Sequence, residues 1–215
     1  MNKTASLNNI RREYKLNKLS EETVHKSPFI QFENWFNQVM KMGLIEPNAM
    51  ILATVDKKAK PSVRVVLIKG IGNRGITFFT NYKSRKGQEL SQNSSAALLF
   101  YWAELERQVR IEGKIRKIPK AESQRYFDTR PVESRIAAWA SEQSKKIPDR
   151  EYLEKRIKEF EKKFTGKKIP VPPNWGGFRL VPDYFEFWQG RENRLHDRIC
   201  YKKVNKNWRI FRLAP

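Results

Sequence analysis

The stretch AMILATVDKKAKPSVRVVLIK, residues 49–69, decides the fold of this chain. An apolar run at residues 49–55 is followed by a polar segment at residues 56–60, and residues 62–69 are then rich in β-branched side chains. Two such runs joined by a short polar segment are typical of an antiparallel strand pair, because a parallel pair needs a crossover of about a dozen residues or more. The stretch therefore predicts an antiparallel sheet.

The rest of the chain extends this pattern with turns, short strands and helices. Gly72-Asn73-Arg74-Gly75 predicts a turn. Further strands are predicted at residues 76–80, 96–101, 108–118, 177–181, 184–188, 199–204 and 208–213, and helices at residues 29–40, 84–92, 119–129, 131–140 and 149–164. This order predicts a single α+β domain, residues 28–215, built on an antiparallel β-barrel with peripheral helices. A polar arm, residues 1–27, precedes it.

The formal net charge is +21, with 44 basic and 23 acidic side chains in 215 residues. Such an excess favours a polyanionic partner, such as RNA or DNA, or small phosphorylated ligands. The charge is spread along the chain without a long block of lysine and arginine. It is therefore weak evidence for nucleic-acid binding.

The sequence also indicates a compartment. No apolar run reaches the roughly 18 residues of a membrane span, and residues 1–27 lack the apolar core of a secretory signal. Cys200 is the only cysteine, which excludes an intrachain disulfide and agrees with a reducing cytoplasm. With only two histidines, His25 and His196, no metal site is expected. We expect a cytoplasmic protein without a membrane partner.

The segments EFWQG, residues 186–190, and RLHDR, residues 194–198, hold the strongest chemical signal. If RLHDR is extended, its two arginines and His196 point to one face. Trp188 offers an aromatic plane close by in the sequence. A flat, anionic, aromatic ligand would satisfy both features, whereas the alternative is a solvated basic edge strand beside a core tryptophan.

A second signal lies where a strand leads into the helix predicted at residues 84–92. Ser84 is a suitable N-cap, and Arg85 and Lys86 would occupy the first turn. Cations there oppose the helix dipole. A bound phosphate would explain them, because free backbone N–H groups and both side chains would converge on it. The alternative is a tolerated basic first turn.

Two strands carry isolated polar candidates. Arg64 and Lys69 have opposite parity in one strand, so they face different sides and would contact either two anions or solvent. Gln108 lies inside another strand, where its amide can donate to and accept from the edge of a polar heterocycle.

Tyr126, Arg130 and Ser134 follow each other at four-residue intervals. Two hydroxyls and a guanidinium on one helical face would form a phosphate cup. The alternative is a solvated helix face. The sequence contains no P-loop and no nucleophile elbow. It therefore predicts a site that binds and positions, with the reaction carried by a cofactor.

Together these segments resemble the pyridoxine/pyridoxamine 5′-phosphate oxidase family nearly end to end, from residues 11–14 to residues 212–215. The most specific parts are RVVLIK at 64–69, FTN at 79–81, SRK at 84–86, LERQV at 105–109, WGG at 175–177, and the EFWQG and RLHDR segments. The resemblance implies a split β-barrel that binds FMN and works as a homodimer with FMN at the subunit interface. It implies oxidation of pyridoxamine 5′-phosphate and pyridoxine 5′-phosphate to pyridoxal 5′-phosphate by hydride transfer to FMN. O2 would be the final acceptor, yielding H2O2, with NH3 released from the amine substrate.

The resemblance also implies site residues. FMN would be bound by Arg64, Val65, Val66, Leu67, Ile68, Lys69, Phe79, Thr80, Arg85, Lys86, Gln108, Gln143, Ser144, Trp188 and Arg198. The substrate would be bound by Arg11, Arg12, Glu13, Tyr14, Lys69, Tyr126, Arg130, Ser134, Arg194, Leu195 and His196. Arg194 and His196 are the catalytic candidates, against the pyridine ring and its phenolic oxygen. Residues 11–14 would form a flap over the substrate.

Two positions depart from the family pattern. Ala137 stands where glycine is frequent, and Phe79 stands where tyrosine is common. Both changes are small and leave the functional prediction in place. Two alternatives stay open: another split-barrel flavin oxidoreductase with a different substrate, and a basic nucleic-acid-binding protein without catalysis. The latter rests on the net charge alone.

Overall fold

The computed structural model describes residues 12–215, which form eight strands and five α-helices. The strands are β1 (Ala49–Val55), β2 (Pro61–Leu67), β3 (Ile76–Asn81), β4 (Ser95–Trp102), β5 (Arg107–Lys117), β6 (Trp175–Gln189), β7 (Asp197–Val204) and β8 (Asn207–Leu213). The helices are α1 (Pro28–Lys41), α2 (Arg85–Gln92), α3 (Lys120–Asp128), α4 (Val132–Ala140) and α5 (Arg150–Phe164). Among residues 12–215, no helix is long and apolar enough to cross a bilayer.

Neighbouring strands follow the order β2-β1-β4-β5-β6-β7-β8, and β3 pairs with β6. In the hairpin formed by β1 and β2, Val55 pairs with Pro61 and Ala49 with Leu67. The opening stretch thus forms the antiparallel pair that its pattern predicts. The sheet and its helices confirm the predicted α+β class.

The longest strand differs from the prediction of two separate strands. β6 is continuous over 15 residues. Its first part, to Leu180, pairs with β3, and its last part, from Tyr184, pairs with β7. Pro182 lies between the two paired segments, so its missing N–H interrupts neither ladder. Pro182 is therefore accommodated within one strand, at the point where the neighbour of β6 changes from β3 to β7.

The described part of the chain forms two compact units. Of the described residues, the first comprises residues 12–47, Leu99–Ile111 and Tyr184–Pro215, and the second comprises Asn48–Leu98 and Glu112–Asp183. In the first unit, α1 buries an aromatic face. Phe32 lies 4.9 Å from Phe100 between ring centroids, and Trp35 meets Phe187 edge-on at 5.2 Å. Such pairs add to the burial of large apolar area.

The second unit has its own aromatic core. Phe127 is fully buried and meets Trp175 edge-on, with 5.0 Å between the ring centroids. Ile136 from α4 and Ile169 are buried in the same cluster, and Phe160 from α5 packs against it. The helices that follow β5 are therefore fixed to the strand that carries Trp175.

The segment between β2 and β3 contains three glycines, Gly70, Gly72 and Gly75. Their spacing equals that of a dinucleotide-binding fingerprint, but they connect two strands and no helix begins after them. Gly75 has a φ of +120°, and an added Cβ would lie 2.0 Å from the carbonyl oxygen of Leu180. The turn therefore requires glycine at position 75 for steric reasons.

We predict that Gly75→Ala destabilises the protein by about 2–4 kcal/mol, because it adds backbone strain and a clash with Leu180. Gly72→Ala is the matched control in the same turn, since a Cβ there has no neighbour within 4 Å and its φ lies outside the left-handed region. Urea denaturation of the two variants measures the difference. Equal stabilities would contradict this account of the turn.

Candidate functional site

A cavity of about 350 Å³ in the second unit gathers many of the predicted residues. The predicted residues that line it are Val65, Val66, Leu67, Lys69, Phe79, Thr80, Lys86, Tyr126, Arg130 and Gln143. Its volume falls in the range of small-molecule sites, roughly 300–1,000 Å³. A neighbouring cavity of about 590 Å³ shares Lys69, Phe79 and Tyr126 with it.

The cavity includes the first turn of α2. Ser84 caps this helix, because its side chain accepts a hydrogen bond from the N–H of Gly87 at 3.3 Å. Lys86 donates to the hydroxyl oxygen of Thr80 at 3.4 Å, and that hydroxyl donates to Gln143 at 3.0 Å. Burial, and then the positive charge of Arg64, lower the pKa of Lys86. A half-buried cation at a helix N-terminus is suited to bind a phosphate.

Two other predicted cofactor ligands, Arg64 and Arg85, are held by a buried carboxylate. Glu89 accepts from Arg64 Nη2 at 3.0 Å and from Arg85 Nε at 2.8 Å. It also accepts from the hydroxyls of Thr54 at 2.5 Å and Ser62 at 2.7 Å. Burial alone would raise the pKa of Glu89, but these four donors outweigh it and lower the pKa to about 2. The carboxylate therefore stays charged and fixes both guanidinium groups.

Three stacked aromatic rings form another part of the cavity lining. Phe79 stacks on Tyr126 with ring centroids 3.9 Å apart and on Trp175 at 5.4 Å. The guanidinium of Arg130 lies 5.0 Å from the Trp175 ring. Its Nη1 atom is buried and has no hydrogen-bond partner among residues 12–215, and burial lowers the pKa of the group. A buried cationic donor without a partner is costly, so this atom is suited to an anionic ligand.

Ser134 does not line this cavity. The prediction placed it on one face with Tyr126 and Arg130. However, α3 ends at Asp128 and α4 begins after Pro131, so the four-residue interval no longer marks a common face. The structure thus brings together two of the three residues of the predicted cup.

The first unit holds a second cluster, made of Tyr14, Trp188 and His196. The rings of Trp188 and His196 lie 4.6 Å apart, and the Tyr14 ring lies 5.7 Å from each. The backbone N–H of Arg191 donates to Nδ1 of His196 at 3.1 Å. Burial, and then the charge of Arg194, lower the pKa of His196. The neutral imidazole is therefore favoured, which suits a hydrogen-bonding role.

The RLHDR segment is extended only in part, so the condition under which its two arginines and His196 share one face is not met. Asn193 and Arg194 have φ values of 54° and 61°, in a short 3-10 segment, and β7 begins only at Asp197. The chain must reverse direction between β6 and β7, and left-handed residues provide this reversal. Arg194 and Leu195 are exposed, whereas His196 contacts Trp188.

Arg198 is held by a second buried carboxylate. Glu186 accepts from Arg198 at 3.0 and 3.1 Å, from Arg110 at 2.6 Å and from the Tyr184 hydroxyl at 3.2 Å. Burial would raise the pKa of Glu186, but the two arginines lower it. The Tyr184 hydroxyl also contacts the sulfur of buried Cys200 at 3.0 Å. Arg198 is therefore fixed by charge-assisted bonds on one edge of the cluster.

Other predicted residues occupy varied places. The second unit contains Ile68 and Ser144, which do not line the cavity. The first unit contains Gln108, Trp188, Arg198, Arg12, Glu13, Tyr14, Arg194, Leu195 and His196. Arg11 lies outside the described residues. Sequence reasoning did not assign Asn81, Ala137, Ala138, Ser141 and Trp175, which complete the lining. It also missed Glu89, although an acid four residues after Arg85 is a signal for a helical ion pair.

Two family models match the chain. One, described as "Pyridoxamine 5'-phosphate oxidase", matches residues 36–164. The other, described as "Pyridoxine 5'-phosphate oxidase C-terminal dimerisation region", matches residues 175–215. Together the two matches include all residues that line the cavity, and Trp188 and His196 of the second cluster.

Known proteins resemble the chain over its whole length. A protein named pyridoxine/pyridoxamine 5′-phosphate oxidase from Nostoc punctiforme is 54% identical over 100% of both chains. One of the same name from Burkholderia thailandensis is 55% identical over 98% of this chain and 99% of its own. The crystal structure of PhzG from Burkholderia lata 383, in complex with tetrahydrophenazine-1-carboxylic acid, is 31% identical with a TM-score of 0.87, covering 93% of this chain and 99% of its own.

We predict that Glu89→Gln lowers the free energy of unfolding at pH 7 by about 3 kcal/mol. The pKa of Glu89 is about 2 when folded, against an ordinary value of 4.5. A lowered pKa stabilises the fold above pH 4.5, and this contribution is lost as the pH falls from 4.5 to 2. Urea denaturation at several pH values should therefore show the two proteins converging in acid.

Glu154→Gln is the control, because Glu154 forms the same i,i+4 pair with Arg150 on an exposed helix face. It should change stability little at any pH. Parallel pH profiles for Glu89→Gln and the wild type would contradict the role given to Glu89.

Proposed function

The chain belongs to the pyridoxamine 5′-phosphate oxidase family, and we propose that it oxidises pyridoxamine 5′-phosphate and pyridoxine 5′-phosphate to pyridoxal 5′-phosphate with FMN as cofactor. It is an oxidoreductase, as its relatives of 50–55% identity are by name. The observation that carries the substrate proposal is the buried, unpaired Nη1 of Arg130 in a cavity lined by stacked aromatic rings. The stacked rings suit a flat ligand, and the buried cationic donor suits a phosphate on it.

The residues of the cavity fit FMN. Lys86, the hydroxyl of Thr80 and the amide of Gln143 form a hydrogen-bonding group at the beginning of α2, which is suited to the phosphate. Glu89 holds Arg64 and Arg85 close to this end, where they add positive potential. When bound, FMN would supply the two-electron acceptor for oxidation of the substrate C4′ centre, with O2 as the final acceptor.

The chain's own contribution is to bind and orient the substrate. Lys69, Tyr126 and Arg130 would hold the substrate phosphate and thereby set the position of C4′. Such positioning contributes as much as about 7–11 kcal/mol to lowering a barrier. Arg194 and His196 would contact the pyridine ring and its phenolic oxygen, where a guanidinium and an imidazole can hold the oxygen by hydrogen bonds.

We propose that the protein acts as a homodimer with FMN at the subunit interface. The match of residues 175–215 to a dimerisation region supports the dimer. The exposed valines of the edge strand β2 also support it, because Val63 is 67% and Val65 is 62% exposed, and Val65 lines the cavity. A second subunit covering these side chains would bury apolar area beside the cofactor.

A related activity on a larger aromatic acid is the second candidate, because the PhzG structure resembles this one closely. The higher identity to proteins named as oxidases favours the first candidate. A comparison of turnover on the two kinds of substrate distinguishes them.

We predict that the purified chain with FMN consumes O2 and forms pyridoxal 5′-phosphate from pyridoxamine 5′-phosphate. Arg130→Ala should raise KM about 10–100-fold while FMN stays bound, because the variant loses a charge-assisted bond to phosphate. Arg116→Ala, at an exposed position of β5 that lines neither cavity, should leave KM unchanged. Absence of product from the wild type would refute the function, and an unchanged KM in Arg130→Ala would refute its role.

We further predict that Lys86→Ala weakens FMN binding at least about tenfold, since Lys86 lines the cavity. Arg85→Ala should have the smaller effect, because Arg85 is paired with Glu89 and does not line the cavity. Flavin fluorescence titration measures both, with exposed Lys83→Ala as the control. Wild-type affinity in Lys86→Ala together with Arg85→Ala would exclude the helix start as the phosphate site.

A further inference from the structure

The described N-terminal segment, residues 12–24, is attached to the first unit through a buried carboxylate. Glu106 Oε2 accepts the backbone N–H groups of Lys15 at 2.9 Å and Leu16 at 3.1 Å. Its other oxygen, Oε1, faces Arg12 Nη2 at 3.4 Å. The Glu106 side chain is only 3% exposed. Bonds from main-chain donors to a buried anion are among the strong hydrogen bonds of proteins.

The backbone conformation of Glu106 is unfavourable for glutamate, which indicates that the carboxylate is required for this contact. Glu106 adopts the left-handed conformation, with φ 54° and ψ 40°, after the short 3-10 turn Ala103–Leu105. Glycine or asparagine suits that conformation better than glutamate. The carbonyl oxygen of Glu106 accepts from the N–H of Gly190, a contact that any residue would provide. Only the carboxylate distinguishes glutamate at this position.

The attachment fixes Tyr14, which immediately precedes Lys15. The Tyr14 ring lies edge-on to Trp188 and His196 at 5.7 Å. Gly190 leaves room for it, because an added Cβ would lie 2.7 Å from Cγ of Tyr14 and 3.1 Å from Cβ of Glu106. Tyr14, Glu106 and Gly190 therefore fit together as one packed group.

A second attachment lies further along the same segment. The backbone N–H of Leu19 donates to Asp197 at 3.0 Å, and Asp197 is also bound by Arg212 at 2.7 Å. Beside Tyr14, the backbone N–H of Asn193 donates to the exposed Glu13 side chain at 3.4 Å. Glu106 is thus the buried attachment nearest to Tyr14, and loss of it would release the part that reaches the aromatic cluster.

We propose that Glu106 is a positioning residue that holds the N-terminal segment, and with it Tyr14, against Trp188 and His196. This inference rests on the proposed function in one respect, which is that the N-terminal segment covers the substrate of that function. The carboxylate acts through the backbone of residues 15–16 and does not itself contact the reacting atoms. Substrate affinity then depends on a side chain that the substrate never meets.

Glu106→Gly tests the proposal, because glycine removes the carboxylate while relieving the left-handed backbone. In the purified full chain, trypsin cleavage after Arg12 or Lys15 should accelerate at least about fivefold, since a released segment is open to proteolysis. The KM for pyridoxamine 5′-phosphate should rise about tenfold, with a smaller change in kcat. The thermal midpoint should stay close to that of the wild type.

Glu192→Gln is the matched control. Glu192 pairs with the Nζ of Lys15 at 3.3 Å, but both side chains are more than half exposed, so the pair contributes little. It should leave cleavage and KM at their wild-type values. Wild-type cleavage in Glu106→Gly overturns the proposal whatever KM does, as does a lowered thermal midpoint with cleavage throughout the chain. A wild type without oxidase activity refutes the proposed function instead, and the cleavage assay still decides the role of Glu106.

Discussion

Two buried glutamates hold four arginines in place, and both the cavity and the aromatic cluster of Tyr14, Trp188 and His196 depend on these ion pairs. Glu89 fixes Arg64 and Arg85, and Glu186 fixes Arg110 and Arg198. In a chain with 44 basic and 23 acidic side chains, like charges at a binding site would otherwise repel each other. Because these cations are ordered by the protein, an incoming anion does not have to immobilise them, and less side-chain entropy is lost on binding.

Residues with left-handed backbone conformation shape the surroundings of the aromatic cluster. Glu106, Asn193 and Arg194 have positive φ without being glycine, and all three lie beside the cluster of Tyr14, Trp188 and His196. Such conformations cost free energy, and they persist where the surrounding contacts determine them. Here they turn the chain between β6 and β7 and direct the Glu106 carboxylate at the N-terminal segment. The cavity of the second unit, by contrast, is built mainly on regular strands and helix starts.

The features that were predictable from the sequence are those set by local patterns. β1 occupies residues 49–55 as predicted, and Ser84 caps α2, because apolar periodicity and capping depend on neighbours in the chain. The reversal at Arg194 was not predictable, since it follows from the pairing of β6 with β7. The roles of Glu106 and Glu186 were missed because their partners are distant in the chain, whereas Glu89 had a local signal in its i,i+4 pair with Arg85. Glu106, for example, binds the backbone of Lys15, which lies 91 residues away.

The only cysteine has a consequence for the durability of such a catalyst. Cys200 is buried, and burial raises the pKa of its thiol, although the hydrogen bond with Tyr184 acts in the opposite direction. Peroxide attacks the thiolate, so a buried and protonated thiol is a poor target. The proposed oxidation would form H2O2 at every turnover, and burial shields the one thiol of this chain from it.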